Sequence, residues 1–553
     1  MNVAVLVVVL CIGAAAAVPL TDDDKKYTLP EGFLFGAGTS AYQTEGGWDA
    51  DGKGINVFDY AYHKRNTPKN NTGDIASDFY GHYKEDIALA AKIRLNVFRF
   101  SISWTRIFPT FTNATKNQKG IDHYHSLLDE LLKNKIEPMV TIFHFDYPQA
   151  LEDAFGGWLS DEMQTEFANY ADFLFNEYGS KVKYWLTINE ASMYCNMLGG
   201  SFLYPATFTT TEKKNQCLRN TILAHARAHK IYEEKYKAKY NGKVGFGSGP
   251  NYARPATDKA EDVAAADKAN VNTGIGLTID PLVFGDYPEA VRSAKIPFTD
   301  DEKALIKGRI DFVGINIYGG QNASASGGGG GGGPDGGDGG PDGGDGPDGG
   351  DGPDGGDGPD GGDGPDGGDG GPPDGGDGGD GGDGGNRPDG FGGVDSAWVL
   401  REMPLWIKNR YETPDRKLPV FITENGLNSP GNKSALDDWD TRVVYESAFL
   451  REMAAGINEN GTNVIGYTMW AFLDTFEFHS YGNWGIVHVD FSTDARNRTL
   501  KNSWTFFKRV ATTRVVPLVE AGSEPFPDDS GSNSVKGSTL LALLAFISAK
   551  WIL

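Results

Sequence analysis

The sequence predicts an α/β chain folded as a (β/α)₈ barrel with long loops, and three observations predict it. Eight short β-rich apolar runs alternate with amphipathic stretches, the pattern of repeated βα units. Outside one low-complexity stretch and the two ends the chain holds about 450 residues, which suits one enlarged barrel better than several domains. A doubly wound open sheet is the alternative, and no Gly-x-Gly-x-x-Gly turn follows the first run, which counts against its dinucleotide-binding version.

The eight expected strands are Phe33–Gly38, Val97–Ser103, Glu137–Phe145, Tyr184–Glu190, Lys243–Gly249, Asp311–Tyr318, Pro419–Glu424 and Asn463–Trp470. Between them, stretches such as Asp122–Lys133 (DHYHSLLDELLK) and Asp161–Tyr178 place apolar residues three and four apart, the spacing of one helix face.

The barrel is expected to occupy 18–525, interrupted at 326–393 by a repeat of Pro-Asp-Gly-Gly-Asp-Gly with almost no apolar side chains. Such a segment buries too little surface to offset the entropy of ordering, so it is read as a disordered Gly/Asp/Pro-rich insertion. It holds 17 of the 75 acidic residues, so much of the net charge of −24 lies outside the folded body. A charge of that sign disfavours nucleic acid and anionic lipid surfaces and leaves a small uncharged ligand as the easier partner. The aspartates lack the apolar positions of a stacked calcium roll.

Both ends carry addressing signals. Residues 1–17 (MNVAVLVVVLCIGAAAA) form a short apolar run ending in small residues, as a secretory signal peptide does. Its removal leaves Cys195 and Cys217, which in an oxidising compartment would most simply form one disulfide. Export would make Asn70, Asn113, Asn322, Asn432 and Asn460, each in an Asn-x-Ser/Thr tripeptide, glycosylation candidates. At 526–553 a polar stretch with small residues precedes LLALLAFISAKWIL, a run of about fourteen residues that is too short to span a bilayer. That pattern suits a glycosylphosphatidylinositol signal, a lipid tether on the extracellular face of the membrane, or simple secretion.

In a barrel, chemistry sits at the carboxyl ends of the strands. There the runs carry His144, Asn189, Glu190, Asn316, Tyr318, Glu424, Asn425 and Trp470. Two glutamates ending apolar strands are costly to bury unless used or paired. Facing each other across one barrel mouth, they suit hydrolysis of a glycosidic bond by a carboxylate pair.

Four segments make a resemblance specific: FLFGAGTSAYQTEG from Phe33, FRFSISW from Phe98, TINE from Thr187 and ITENG from Ile422. In order along 27–515, insertion aside, the chain resembles glycoside hydrolase family one, the β-glucosidase and myrosinase family. The resemblance implies a retaining β-glycosidase acting on small β-glycosides, with Glu190 as acid/base and Glu424 as nucleophile, their carboxyl groups about 5 to 5.5 Å apart. It further implies that Arg99, Asn316 and Tyr318 hold Glu424 charged and aligned, and that Asn189 meets the sugar 2-hydroxyl. Gln43, His144 and Glu477 would serve the other hydroxyls, over a Trp470 platform and beside Phe478.

The chain departs from the family pattern in places. Phe145 and Phe478 stand where the family usually has tryptophan, each deleting an indole N–H. Ala191 replaces the usual proline after the acid/base, and the loop from His479 to Gly485 is about two residues shorter. Keeping Glu190, where plant thioglucosidases have glutamine, favours O-glycosides, yet animal myrosinases also keep it. Thioglucoside cleavage, transglycosylation and sugar or protein binding without turnover are therefore the alternatives. No cluster has metal-ligand spacing and no cofactor is implied; His225 and His229, four apart on a helical run, lack a third ligand and read as core or solvated residues.

Overall fold

The computed structural model describes residues 21–528 except 66, 68–70, 197–208, 327–392, 432 and 479. The leader, nearly all of the low-complexity repeat, the tail beyond 528 and the sequons at Asn70 and Asn432 lie outside the described residues.

Eight parallel strands close a barrel: β1 (Leu34–Gly38), β2 (Val97–Ser101), β3 (Glu137–Phe143), β4 (Tyr184–Ile188), β5 (Lys243–Ser248), β6 (Phe312–Asn316), β7 (Val420–Asn425) and β8 (Val464–Trp470). Neighbours in sequence are neighbours in space, and β1 seals the ring against β8 in a register running from Leu34 with Gly466 to Gly38 with Trp470. All eight expected strands are present. Five end one or two residues early, because the chain leaves the ladder as it turns into the mouth: Phe145 and Glu190 adopt φ of 75° and 43°, conformations that no ladder accommodates.

Helices alternate with the strands on the outside: α1 (Phe79–Ile93), α2 (Gln118–Lys133), α3 (Glu162–Tyr178), α4 (Thr211–Ile231), α5 (Ile275–Phe284), α6 (Val399–Tyr411), α7 (Val444–Asn460) and α8 (Trp504–Thr513). Helix α2 shows why they pack. Ile121, Tyr124, Leu127, Leu128 and Leu131 are buried along one stripe, and burying each stabilises the wall by roughly 1.5–3 kcal/mol. Caps fix the starts: Asp78 accepts from Gly81 N before α1, and Thr210 accepts from Lys213 N before α4.

The barrel floor is plugged by Val97, Met139, Leu186, Phe312 and Phe421, all with no exposed surface. That apolar layer leaves the polar strand ends above it as a pocket floor. Register shifts in β7 against both its neighbours, after Ile315 and between Tyr467 and Met469, re-aim the side chains there. Among the described residues no helix is long and apolar enough to cross a membrane.

Candidate active site

The two glutamates stand at the mouth in different surroundings. Glu424, on β7, has each oxygen held: Arg99 Nη1 from β2 donates to Oε1 at 2.6 Å, and Tyr318 OH donates to Oε2 at 2.7 Å. Arg99 is fully buried, and its remaining groups are also spent, Nη2 on Asn189 Oδ1 at 2.7 Å and Nε on Thr141 at 3.1 Å. A charge-assisted bond to a buried guanidinium fixes the direction of the carboxylate.

Glu190 follows β4 and turns the chain into the short helix Ala191–Asn196. Among the described residues its one close side-chain partner is an uncharged amide, Asn316 Nδ2, 2.8 Å from Oε1. Asn316 was expected to steady Glu424; it steadies Glu190 instead. The cause is local: Thr423 Oγ1 donates to Asn316 Oδ1 at 2.7 Å, which turns the Nδ2 toward Glu190 and Asn189.

The electrostatics follow from this asymmetry. Burial, reinforced by the charge of Glu424, pushes the Glu190 carboxyl up to about 8, against the pull of Asn316 and Arg99. Tyr318 is held well above its usual range, first by burial and then by the two glutamates, so it remains a donor.

The other expected residues surround this pair. Burial, with help from Glu424, raises Glu477 to about 7, while Thr475, Trp470 and Gln43 hydrogen-bond to it and pull the other way. Gln43 is fixed by Ser40 Oγ, which donates to its Oε1 at 2.6 Å. His144 lies parallel to Trp470, ring centroids 5.7 Å apart, and burial beside Arg99 lowers its proton affinity well below the ordinary value, leaving a neutral imidazole. Phe145 and Phe478 meet at 5.9 Å and join Tyr42, Phe58 and Tyr194 in an aromatic wall.

Two contributors escaped the sequence reading as site residues. Trp484 packs against Tyr318 at 5.7 Å, and Gly249 after β5 lies directly against the Glu190 carboxyl. An aromatic in the loop after β8 was a usable signal for the first; nothing in the sequence marks the second. Cys195 and Cys217 are joined, tying the helix after Glu190 to α4. His225 is a core residue, bonded to Thr187 Oγ1 at 2.6 Å and to the Arg309 carbonyl, and His229 lies 3.6 Å from Asp311. Among the described residues no group of His, Cys, Asp and Glu could hold a metal ion.

Residues 25–327 and 390–515 match the model of glycosyl hydrolase family 1. A cyanidin 3-O-glucoside 7-O-glucosyltransferase (acyl-glucose) of Delphinium grandiflorum is 35% identical over 507 residues, 88% of this chain and 91% of that protein. Myrosinase 1 of Brevicoryne brassicae is 32% identical over 521 residues, 88% of this chain and 99% of that one. Among solved structures, a β-glucosidase of the fungus Humicola insolens in complex with glucose superposes with a TM-score of 0.71 at 27% identity, covering 89% of this chain and all of the other.

Proposed function

The chain belongs to glycosyl hydrolase family 1 and is a retaining β-glycosidase, and we propose that Glu424 is its nucleophile and Glu190 its acid/base. One observation carries the assignment. Glu424 has a guanidinium on one oxygen and a phenol on the other, whereas Glu190 has an amide and a proton affinity near 8. Environments that push two carboxyls apart divide the labour between them.

Glu190 then protonates the leaving oxygen while the Glu424 carboxylate attacks the anomeric carbon. Forming the glycosyl ester removes the negative charge that reinforced the effect of burial on Glu190, so its proton affinity falls and it becomes the base for water. Two inversions at one carbon give net retention. Asn189 Oδ1 already accepts from Arg99 and Asn316, which leaves its amide N–H to meet the sugar.

The wall of Phe145 and Phe478 offers hydrocarbon where a hydroxyl would seek a donor, and each missing bond is worth about 1 kcal/mol. Sugar choice is accordingly relaxed. The test is a panel of nitrophenyl β-D-glucoside, galactoside and fucoside with a thioglucoside, product analysis included, for the parent, Glu190→Gln and Glu424→Gln. Turnover that vanishes in Glu424→Gln, with rates for the three O-glycosides within about tenfold, supports the reading. Well-folded protein that turns over none of them overturns the assignment in favour of sugar binding without catalysis.

Passage through an exporting pathway is the companion proposal. The Cys195–Cys217 bridge and the exposed sequon asparagines Asn113 and Asn322 support it, with Asn460 half-buried beside Arg401. A lipid tether at the carboxyl end is tested by release of activity from intact cells with phosphatidylinositol-specific phospholipase.

A further inference from the structure

Behind the nucleophile lies a buried carboxyl that the reaction does not use. Glu446, on α7, has no exposed surface, and its Oε1 has no hydrogen-bond partner among the described residues. Its Oε2 is 2.6 Å from the hydroxyl of Tyr467 on β8. That hydroxyl is also 3.0 Å from Asn425 Oδ1, the side chain next to Glu424. Asn425 Nδ2 donates onward to the Ile317 carbonyl at 2.7 Å and to Tyr445 OH at 3.0 Å, and Tyr445 OH donates to the Tyr318 carbonyl at 2.8 Å. Tyr318 is the phenol that holds Glu424.

Counting protons decides the state of this chain. Tyr467 has one hydroxyl proton and two close oxygens to satisfy. If Glu446 were ionised, the proton would go to the carboxylate and Asn425 Oδ1 would face a bare oxygen. A neutral Glu446 donates its own proton to Tyr467, which frees the phenol to donate to Asn425, and both contacts of the phenol are then made.

We infer that Glu446 is a neutral positioning residue that acts through Tyr467 and Asn425 to fix the strand end carrying Glu424 and the Tyr318 that holds it. The groups facing Glu446 agree: Tyr467 comes from β8, Tyr445 and Arg442 come from its own helical segment, and Arg442 is already committed to Asp438 and to the carbonyls of Leu427, Asn483 and Trp484. Burial outweighs Arg442 and pushes the Glu446 carboxyl up to about 8.

The inference rests on Glu424 being the nucleophile, and the experiment separates the two. The full chain is inactivated with 2,4-dinitrophenyl 2-deoxy-2-fluoro-β-D-glucoside, which traps the nucleophile without needing acid catalysis. The limiting rate and the half-saturation concentration are read separately, and the labelled peptide is identified. Glu446→Leu is expected to lower the limiting rate about tenfold at unchanged half-saturation, because a displaced reacting group loses rate rather than binding. Glu446→Gln, which retains a donor toward Tyr467, stays within about twofold. In a Tyr467→Phe background Glu446→Leu adds nothing further. A parental rate for the leucine variant, equal loss in the glutamine variant, or additive losses overturns the inference. Should Glu446→Leu fail to fold, Tyr467→Phe alone must show the rate loss, and a parental rate overturns it. Label found on a residue other than Glu424 overturns the nucleophile assignment instead.

Discussion

A Cβ atom on Gly249 would fall 2.7 Å from the carboxyl carbon of Glu190. The missing side chain at the end of β5 is what lets the acid/base lie where Asn316 can hold it. Gly249→Ala is therefore expected to slow cleavage of phenyl glucoside, which needs a proton, about tenfold or more, and to spare 2,4-dinitrophenyl glucoside. Steady-state kinetics on the two substrates check this, and equal losses would disconnect Gly249 from proton transfer.

The pH dependence has a definite sign. Glu190 must begin protonated, so kcat/KM for phenyl glucoside is expected to fall as pH rises through about 8. The raised Glu190 and Glu477 also bind protons more tightly folded than unfolded. Their contribution to stability is present below the ordinary carboxyl range and is lost as pH climbs toward about 8 and about 7 respectively. Urea unfolding at pH 5 and pH 8 should show the loss, and Glu477→Gln should flatten it.

The Cys195–Cys217 bridge spans 22 residues with Cα atoms 5.6 Å apart. Closing a loop of that size stabilises by about 3 kcal/mol. Cys217→Ser should lower the denaturation midpoint accordingly. Because Cys195 lies five residues beyond Glu190, on the short helix that follows it, acid-dependent substrates should suffer more than dinitrophenyl ones.

Lys501 and Asp474 form an ion pair at 2.6 Å with no exposed surface on either side chain. Asp474 also accepts from Gly485 N at 2.9 Å and pairs with His488 at 2.8 Å, so it fixes the loop that bears Glu477 and Trp484. Lys501→Met strands a buried carboxylate and is expected to cost about 3–5 kcal/mol, measured by chemical denaturation.

The strands and both glutamates were legible because apolar runs and the residues that end them are written locally. What escaped depends on geometry that no local pattern carries. The family resemblance implies Asn316 as a partner of Glu424, and only the Thr423 bond reveals that it faces Glu190. Nothing local in the sequence singles out Glu446, whose burial within α7 is set by the packing of that helix. The left-handed turns at Phe145 and Glu190 lie in residues whose side chains give no hint of positive φ, so the apolar pattern runs on past the true strand ends.

The seam between Gly38 and Trp470 sets when this enzyme can first act. A growing chain that has passed residue 440 already carries Arg99, Glu190, Tyr318 and Glu424, yet its barrel gapes between β1 and β7, with two strand edges bare and neither Trp470 nor Glu477 made. Such edges invite pairing with other chains. Catalytic competence therefore arrives in one late step of synthesis, and fragments that stop short of it are candidates for aggregation rather than for partial activity.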